Sequence, residues 1–169
     1  MPTLLSETSQ KQIDSWVNKF PEGKQRSALI MALRIAQDEH GHLTEPLMQE
    51  VADYLSLPKA YVYEVATFYT MYRLEPHGKY TIGICDSISC MLCGAKSLLE
   101  YTEKLLKIKV GETTKDGMFT LKHVECLAAC CGAPAVLVND NIYHESMTAE
   151  SMKTLIEFLK QGGAAQCQD

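Results

Sequence analysis

The sequence predicts an α+β protein: a small N-terminal helical bundle over residues 1–75, then a second domain over residues 76–169 with a mixed β-sheet. Two observations predict it. Up to Leu74 the apolar residues recur at the i, i+3, i+4, i+7 spacing of helices, and beyond Glu75-Pro76-His77-Gly78 they alternate as in strands. The chain is also long enough for this, since 169 residues, 46% of them hydrophobic, suffice for two small cores or one large one.

In the first half, Ile13, Trp16, Val17 and Phe20 form one apolar stripe, and Pro21-Glu22-Gly23 ends that helix. A second helix is predicted from Ser27 to Gln37, with Leu29, Ile30, Leu33 and Ala36 inward and His40-Gly41 at its C-terminus. Thr44 is the expected N-cap of a third helix, with Pro46 in its first turn and Leu47, Met48, Val51, Ala52 and Leu55 as its stripe. Pro58 opens a fourth, carrying Val62, Val65, Ala66 and Tyr69. Four short helices on short connections make a bundle. The aromatic run Ala66 to Tyr72 is expected either to pack between bundle and second domain or to contact a partner.

In the second half, Tyr80, Ile82 and Ile84 alternate along a strand that ends at Cys85. Gly94 to Lys107 reads as a helix with Leu98, Leu99, Thr102, Leu105 and Leu106. Lys115-Asp116-Gly117 turns into a strand from Phe119 to Glu125. Ala135 to Val138 forms a hairpin with Ile142-Tyr143-His144 through Asn139-Asp140-Asn141. Met152, Leu155, Ile156 and Leu159 stripe the last helix, and the tail Ala164 to Asp169, with Cys167, is expected to fray. In the order β-α-β-β-β-α the right-handed crossover makes the first two strands parallel. Their C-terminal ends then share one edge of the sheet, where Cys85 and Cys126 stand.

Composition excludes several functions. A net charge of −5 argues against a nucleic-acid binder, and no apolar run is long enough to span a membrane. The N-terminus MPTLLSETSQ shows neither a secretory signal nor a mitochondrial transit pattern, so the chain is expected to be cytosolic or a mature product. There is no G-x-G-x-x-G after a strand and no phosphate loop, so NADH is not expected to bind here. His40 and His42 read as solvated or capping residues, His123 and His144 as structural, and Glu100/Glu103/Lys104 as a solvated helix face.

Seven cysteines in a reducing compartment point to metal or cluster binding rather than disulfides. Cys85-x4-Cys90 and Cys126-x3-Cys130 place two pairs where apolar strands break into loops. A structural zinc site prefers tighter knuckles, and buried structural thiols suit Cys93 or Cys131 better than four paired cysteines. A [2Fe-2S] cluster takes two thiolates per iron, which two pairs supply. Spacing favours Cys85, Cys90, Cys126 and Cys130 as the ligands. It leaves open a set using Cys93, with Cys126 or Cys130 as fourth, because Cys85-x4-Cys90-x2-Cys93 is a ferredoxin spacing. Small residues around these cysteines allow backbone N–H groups to approach the sulfurs, which raises a cluster's potential.

At these residues the chain resembles the small [2Fe-2S] subunit of the NADH dehydrogenase module of bacterial NADH:quinone oxidoreductase, respiratory complex I. The matching segments are Ala66-Thr67-Phe68-Tyr69-Thr70-Met71, Cys85-Asp86-Ser87-Ile88-Ser89-Cys90, and Cys126-Leu127-Ala128-Ala129-Cys130 with Gly132-Ala133-Pro134. Trp16 and Pro21 in the helical half are also similar, and the resemblance covers roughly residues 10 to 160. It implies a thioredoxin-like ferredoxin domain after the bundle, with one [2Fe-2S] cluster on Cys85, Cys90, Cys126 and Cys130, and Cys93 and Cys131 as extras. The implied partners are a flavoprotein that binds FMN and NADH, on which the bundle helps to dock, and other peripheral-arm subunits of complex I. The implied task is to accept electrons from NADH through that FMN; the isolated chain is not expected to be catalytic. The implied place is the cytoplasmic side of the bacterial inner membrane, reached only through the complex. Related subunits serve NAD-linked hydrogenases and formate dehydrogenases. A zinc-held assembly module is the rival of another class.

Overall fold

The computed structural model describes residues 3–163, which form two compact units that meet between Pro76 and His77. The expected fraying at Ala164 to Asp169, Cys167 included, lies outside the described residues.

The first unit holds α1 (Glu7–Val17), α2 (Leu29–His40), α3 (Glu45–Tyr54) and α4 (Lys59–Phe68) around one core. α1 begins earlier and ends earlier than its apolar stripe predicts. Ser6 caps it by accepting from the Ser9 N–H at 3.2 Å, and the chain leaves the helix at Val17, before Pro21. Only Ile13 of the expected stripe is fully buried. A 3-10 turn at Gln25–Ala28 leads into α2, whose end at Gly41 has the left-handed φ of 80° that glycine adopts without penalty. Thr44 caps α3 as expected, accepting from Leu47 N–H at 3.4 Å, and all five apolar residues of its stripe are buried. Pro58 stands just outside α4 as its cap, with an extended ψ of 136°, rather than inside its first turn. Buried Gln37 bridges α2 to the segment after α4. Its Nε2 donates to Met71 O at 3.1 Å and its Oε1 accepts from Arg73 N–H at 2.6 Å. Burial pushes the Tyr72 phenol up to about 12, and its hydroxyl donates to Ile30 O at 2.7 Å. Tyr72 is thus a core residue, whereas Phe68 and Tyr69 are exposed.

The second unit is a four-stranded mixed sheet in the order β2-β1-β3-β4, with β1 at Tyr80–Cys85, β2 at Phe119–Val124, β3 at Val136–Val138 and β4 at Ile142–His144. β1 and β2 run parallel, Tyr80 beside Phe119 and Cys85 beside Val124; β3 and β4 are antiparallel to their neighbours. The chain enters β1 at Gly78, where a side chain would stand 2.8 Å from the Phe119 backbone. The alternation in β1 does not mark one wet face, because all six of its residues are buried. The strand's faces are buried by what packs on the sheet: Ile82 and Ile84 share a core with Leu98, Met152 and Ile156, and the Val124 side chain covers Gly83. The hairpin turns through Asn139 and Asp140, both at positive φ, as its turn chemistry predicts.

α5 (Ile88–Leu92), α6 (Ala95–Leu106) and α7 (Ala149–Lys160) complete this unit. α6 and α7 contribute Leu98, Leu106, Met152, Leu155, Ile156 and Leu159 to a core with Ile82, Ile84, Phe119 and Leu121. Thr148 and Ser151 form a capping box at the start of α7. Glu103 is more than a solvated side chain. It ion-pairs with Lys109 at 2.9 Å and accepts the Val110 N–H, ordering the turn after α6, and these contacts lower its pKa. No helix among the described residues is long and apolar enough to cross a membrane.

Candidate metal centre

The parallel pair β1/β2 sets this site. Cys85 ends β1 with its N–H donating to Ala135 O at 3.1 Å, and Asp86 N–H reaches Val124 O at 3.3 Å. Cys126 lies two residues beyond the end of β2 on the same sheet edge. Segments about forty residues apart are therefore neighbours, as the parallel pairing of β1 and β2 requires.

The Cys85 loop contains a helix that the apolar periodicity does not announce. Ser87, extended at φ −66° and ψ 165°, precedes α5, and Met91 N–H donates back to Ser87 O at 2.8 Å. Ser87 before Ile88, Met91 and Leu92 at helical spacing is the signal for it, hidden by the brevity of the element. α5 turns Cys90 inward, where it and Cys85 are almost fully buried, while Cys93 stands exposed just past the helix. Burial pushes the Cys90 thiol up. A backbone hydrogen bond with Ala135 opposes this, and the adjoining Cys85 and Cys130 sulfurs reinforce it. Cys85 and Cys130 thus lie near enough to Cys90 to act on its thiol.

The second loop presents Cys126, Cys130 and Cys131 at the surface. Cys126 Sγ accepts the Ala128 N–H at 3.4 Å. That N–H is aimed by Ala128 itself, held at φ 58°, a left-handed conformation that costs a non-glycine residue roughly 1–2 kcal/mol. Cys130 opens a short 3-10 turn, Cys130–Gly132. Gly132 is buried against Glu145, which occupies the place a side chain would need, and its carbonyl accepts Ser146 N–H at 2.7 Å. Ala133 is extended at φ −68° and ψ 144°, as the following proline demands, and the Ala133–Pro134 bond is cis.

Among the described residues no three His, Cys, Asp or Glu side chains converge as the ligands of one metal ion. A structural zinc takes four ligands, most often from tight knuckles, and a two-iron cluster takes two thiolates per iron. An all-thiol donor set, half buried and half exposed and fed by two rigid strand ends, fits the cluster.

The histidines lie to the side. His40 Nε2 is 2.9 Å from Leu4 O, at a helix end as expected. His123 Nδ1 is 3.2 Å from the Asp86 carboxylate, an exposed pair beside the cysteine loops. His144 is buried, and its Nε2 has no hydrogen-bond partner among the described residues. Burial holds its imidazole below the ordinary value. As pH falls, the unfolded chain therefore takes up the proton before the folded chain does. The stability associated with neutral His144 is complete above about pH 6.5 and is lost as pH drops below it. In urea unfolding across this range, His144→Gln is expected to show a shallower loss of stability than the parent; parallel curves would exclude the effect.

Comparisons with known proteins bear on the family and the fold. The model of the family described as "Thioredoxin-like [2Fe-2S] ferredoxin" matches residues 13–160. A subunit of the NADH-quinone oxidoreductase of Rhizobium meliloti (strain 1021) is 46% identical over 150 residues, covering 89% of this chain and 88% of that protein. The like-named NADH-quinone oxidoreductase subunit of Rickettsia felis is 43% identical over 142 residues, covering 83% and 84% respectively. A solved NAD+-reducing [NiFe]-hydrogenase, in the H2-reduced state, superposes with a TM-score of 0.69 at 23% identity over 79% of this chain and 22% of that chain. That last likeness is one of fold.

Proposed function

The chain belongs to the thioredoxin-like [2Fe-2S] ferredoxin family, among subunits of NADH-quinone oxidoreductase, and from that membership we propose that Cys85, Cys90, Cys126 and Cys130 hold one [2Fe-2S] cluster that takes electrons from a partner flavoprotein. The observation that supports the ligand assignment is the parallel β1/β2 pairing, which brings Cys85 and Cys126 to one sheet edge, with Cys85 and Cys130 near enough to Cys90 to act on its thiol. Exposed Cys93 at the end of α5 fits the set less well.

When bound, the cluster supplies one-electron redox capacity at this position. The chain's own residues do the rest. Buried Cys85 and Cys90 shield one side from water, and two hydrogen-bonded strand ends fix the spacing of the loops. The Ala128 N–H favours negative charge on Cys126 Sγ and so favours the reduced state. Hydride chemistry belongs to FMN and NADH on the partner. The helical first unit, with exposed Phe68 and Tyr69, serves docking within the peripheral arm, on the cytoplasmic face of the membrane. Relatives at 41–46% identity named as subunits of NADH-quinone oxidoreductase support that parent complex over a hydrogenase or formate dehydrogenase.

Anaerobic purification followed by visible spectroscopy, iron analysis and EPR after dithionite reduction tests this. The expected protein is brown, bleaches on reduction, gives a [2Fe-2S] signal and oxidises NADH negligibly by itself. A colourless protein that holds stoichiometric zinc even after iron–sulfur reconstitution would overturn the reading, as would robust NADH oxidation by the chain alone.

A further inference from the structure

The two cysteine loops carry no charge of their own. Neither Ser87–Ala95 nor Cys126–Ala133 contains an Asp, Glu, Lys, Arg or His, in a chain that is 22% charged. The fold nevertheless brings one carboxylate onto the second loop from a later segment. His144 ends β4 and is buried, and the next residue, Glu145, lies over Gly132. Its carboxylate fills the space in which a side chain at position 132 would stand. The backbone that follows is pinned to the same loop: Ser146 N–H donates to Gly132 O at 2.7 Å and Met147 N–H to Pro134 O at 3.1 Å. Gly132 closes the three-residue turn that Cys130 opens, so the carboxylate abuts the turn that carries this sulfur. Two other carboxylates border the loops in sequence. Asp86 faces His123 at 3.2 Å, and Glu125 is exposed with no hydrogen bond or ion pair fixing its side chain among the described residues. Glu145 is packed onto the cysteine turn itself, and no ion pair among the described residues offsets its charge.

We propose that Glu145 holds down the reduction potential of the cluster, acting as a fixed negative charge against the Cys130 turn. This rests on the reading of Cys85, Cys90, Cys126 and Cys130 as cluster ligands. Reduction adds one electron, from the partner's flavin or from dithionite in solution. It breaks no bond and makes the cluster more negative by one charge. A carboxylate beside the turn repels that added charge and so disfavours the reduced state. The Ala128 N–H at Cys126 Sγ acts in the opposite direction. The potential is thus set between a dipole that favours the electron and a charge that opposes it. Glu145 is exposed, so water and salt weaken its effect. Its expected influence on the one-electron equilibrium is about two- to tenfold, or about 18–59 mV at 59 mV per tenfold. Filling the space over Gly132 needs only a side chain of that shape, whereas control of the potential needs its charge. The two roles therefore separate by experiment.

The test compares the cluster-loaded full chain with its Glu145→Gln and Glu145→Lys variants. Each is titrated anaerobically against redox mediators, at low and at high ionic strength, with the EPR signal of the reduced cluster as the readout. Glu145→Gln keeps the shape over Gly132 and removes the charge; Glu145→Lys reverses it. At low salt the midpoint potential is expected to rise from parent to Glu145→Gln and again to Glu145→Lys. Each step is about two- to tenfold in the ratio of reduced to oxidised cluster at a fixed potential, and high salt narrows the gaps. Equal midpoints in all three proteins overturn the role of Glu145 and leave the ligand assignment intact. A shift that Glu145→Lys does not extend, or that salt leaves unchanged, assigns the effect to loop packing and also overturns the proposal. Loss of the cluster from both variants but not from the parent makes Glu145 a support of the loop and overturns it likewise. Absence of a [2Fe-2S] signal from the parent itself overturns the ligand reading on which the proposal rests.

Discussion

Replacing Cys90 with alanine is expected to strip the protein of nearly all its iron, whereas Cys93→Ala is expected to retain the full cluster spectrum. The two residues are three positions apart, on and just past one short helix, yet α5 buries Cys90 and leaves Cys93 exposed. The Cys90 sulfur shares its environment with Cys85 and Cys130, which is where a cluster ligand must be. Outer partners of a metal ligand are each worth about 10–100-fold in metal affinity, so loss of a thiolate that bonds iron should exceed that range. The vacated thiol also leaves Cys85 as the only sulfur supplied by the first loop at the buried end of the site. Iron per chain, visible absorption and EPR of the reduced protein read the result directly. The reverse pattern, iron lost from Cys93→Ala and kept in Cys90→Ala, would replace the proposed ligand set with one built on Cys93. Cys131→Ala is the matching control on the second loop, since the exposed Cys131 directly follows Cys130 on the same turn.

The legible parts of this fold are those written in repeated local signals. The stripes of α3 and α7 name their buried residues, and that of α6 names Leu98, Thr102 and Leu106, because each is long enough to show the period; Thr44 and Gly41 mark boundaries by chemistry that works locally. The shared sheet edge of Cys85 and Cys126 is legible from a strand–helix–strand order, since a helical crossover joins parallel strands whose C-terminal ends lie on one edge. Other features have no local signature. α5 is too short for a stripe, and its apolar residues face outward, against the rule by which such residues mark a core. β1 alternates apolar with small residues, which reads as a half-wet strand until the cover on both of its faces is known. The Asp86–His123 pair joins residues 37 apart and follows from register. The left-handed backbone of Ala128 stands where no Gly or Asn announces it, so the hydrogen bond it aims at Cys126 is invisible residue by residue.

The largest stability effect is expected at Phe119, well away from the sulfurs but in the register that aligns them. Its side chain is fully buried, stacked on Tyr80 at a centroid distance of 5.7 Å, where the first residues of β1 and β2 pair. Phe119→Ala removes that ring and leaves a cavity between the parallel strands, which costs about 3–5 kcal/mol. A domain's total stability is only about 5–15 kcal/mol, so the cluster-free variant should unfold at much lower urea or temperature than the parent. A cluster binds only the folded arrangement of its ligands and therefore adds stability to whatever fold remains. The loaded variant is thus expected to melt above its own apo form. Two signals separate the units during the experiment. Trp16, the single tryptophan, reports by fluorescence on the first unit, and cluster absorbance reports on the second. A loss carried by the absorbance transition places the damage in the β1/β2 pairing that holds the cysteine loops together. A Phe119→Ala protein that unfolds like the parent would mean that this strand pair is not what holds the second unit's core.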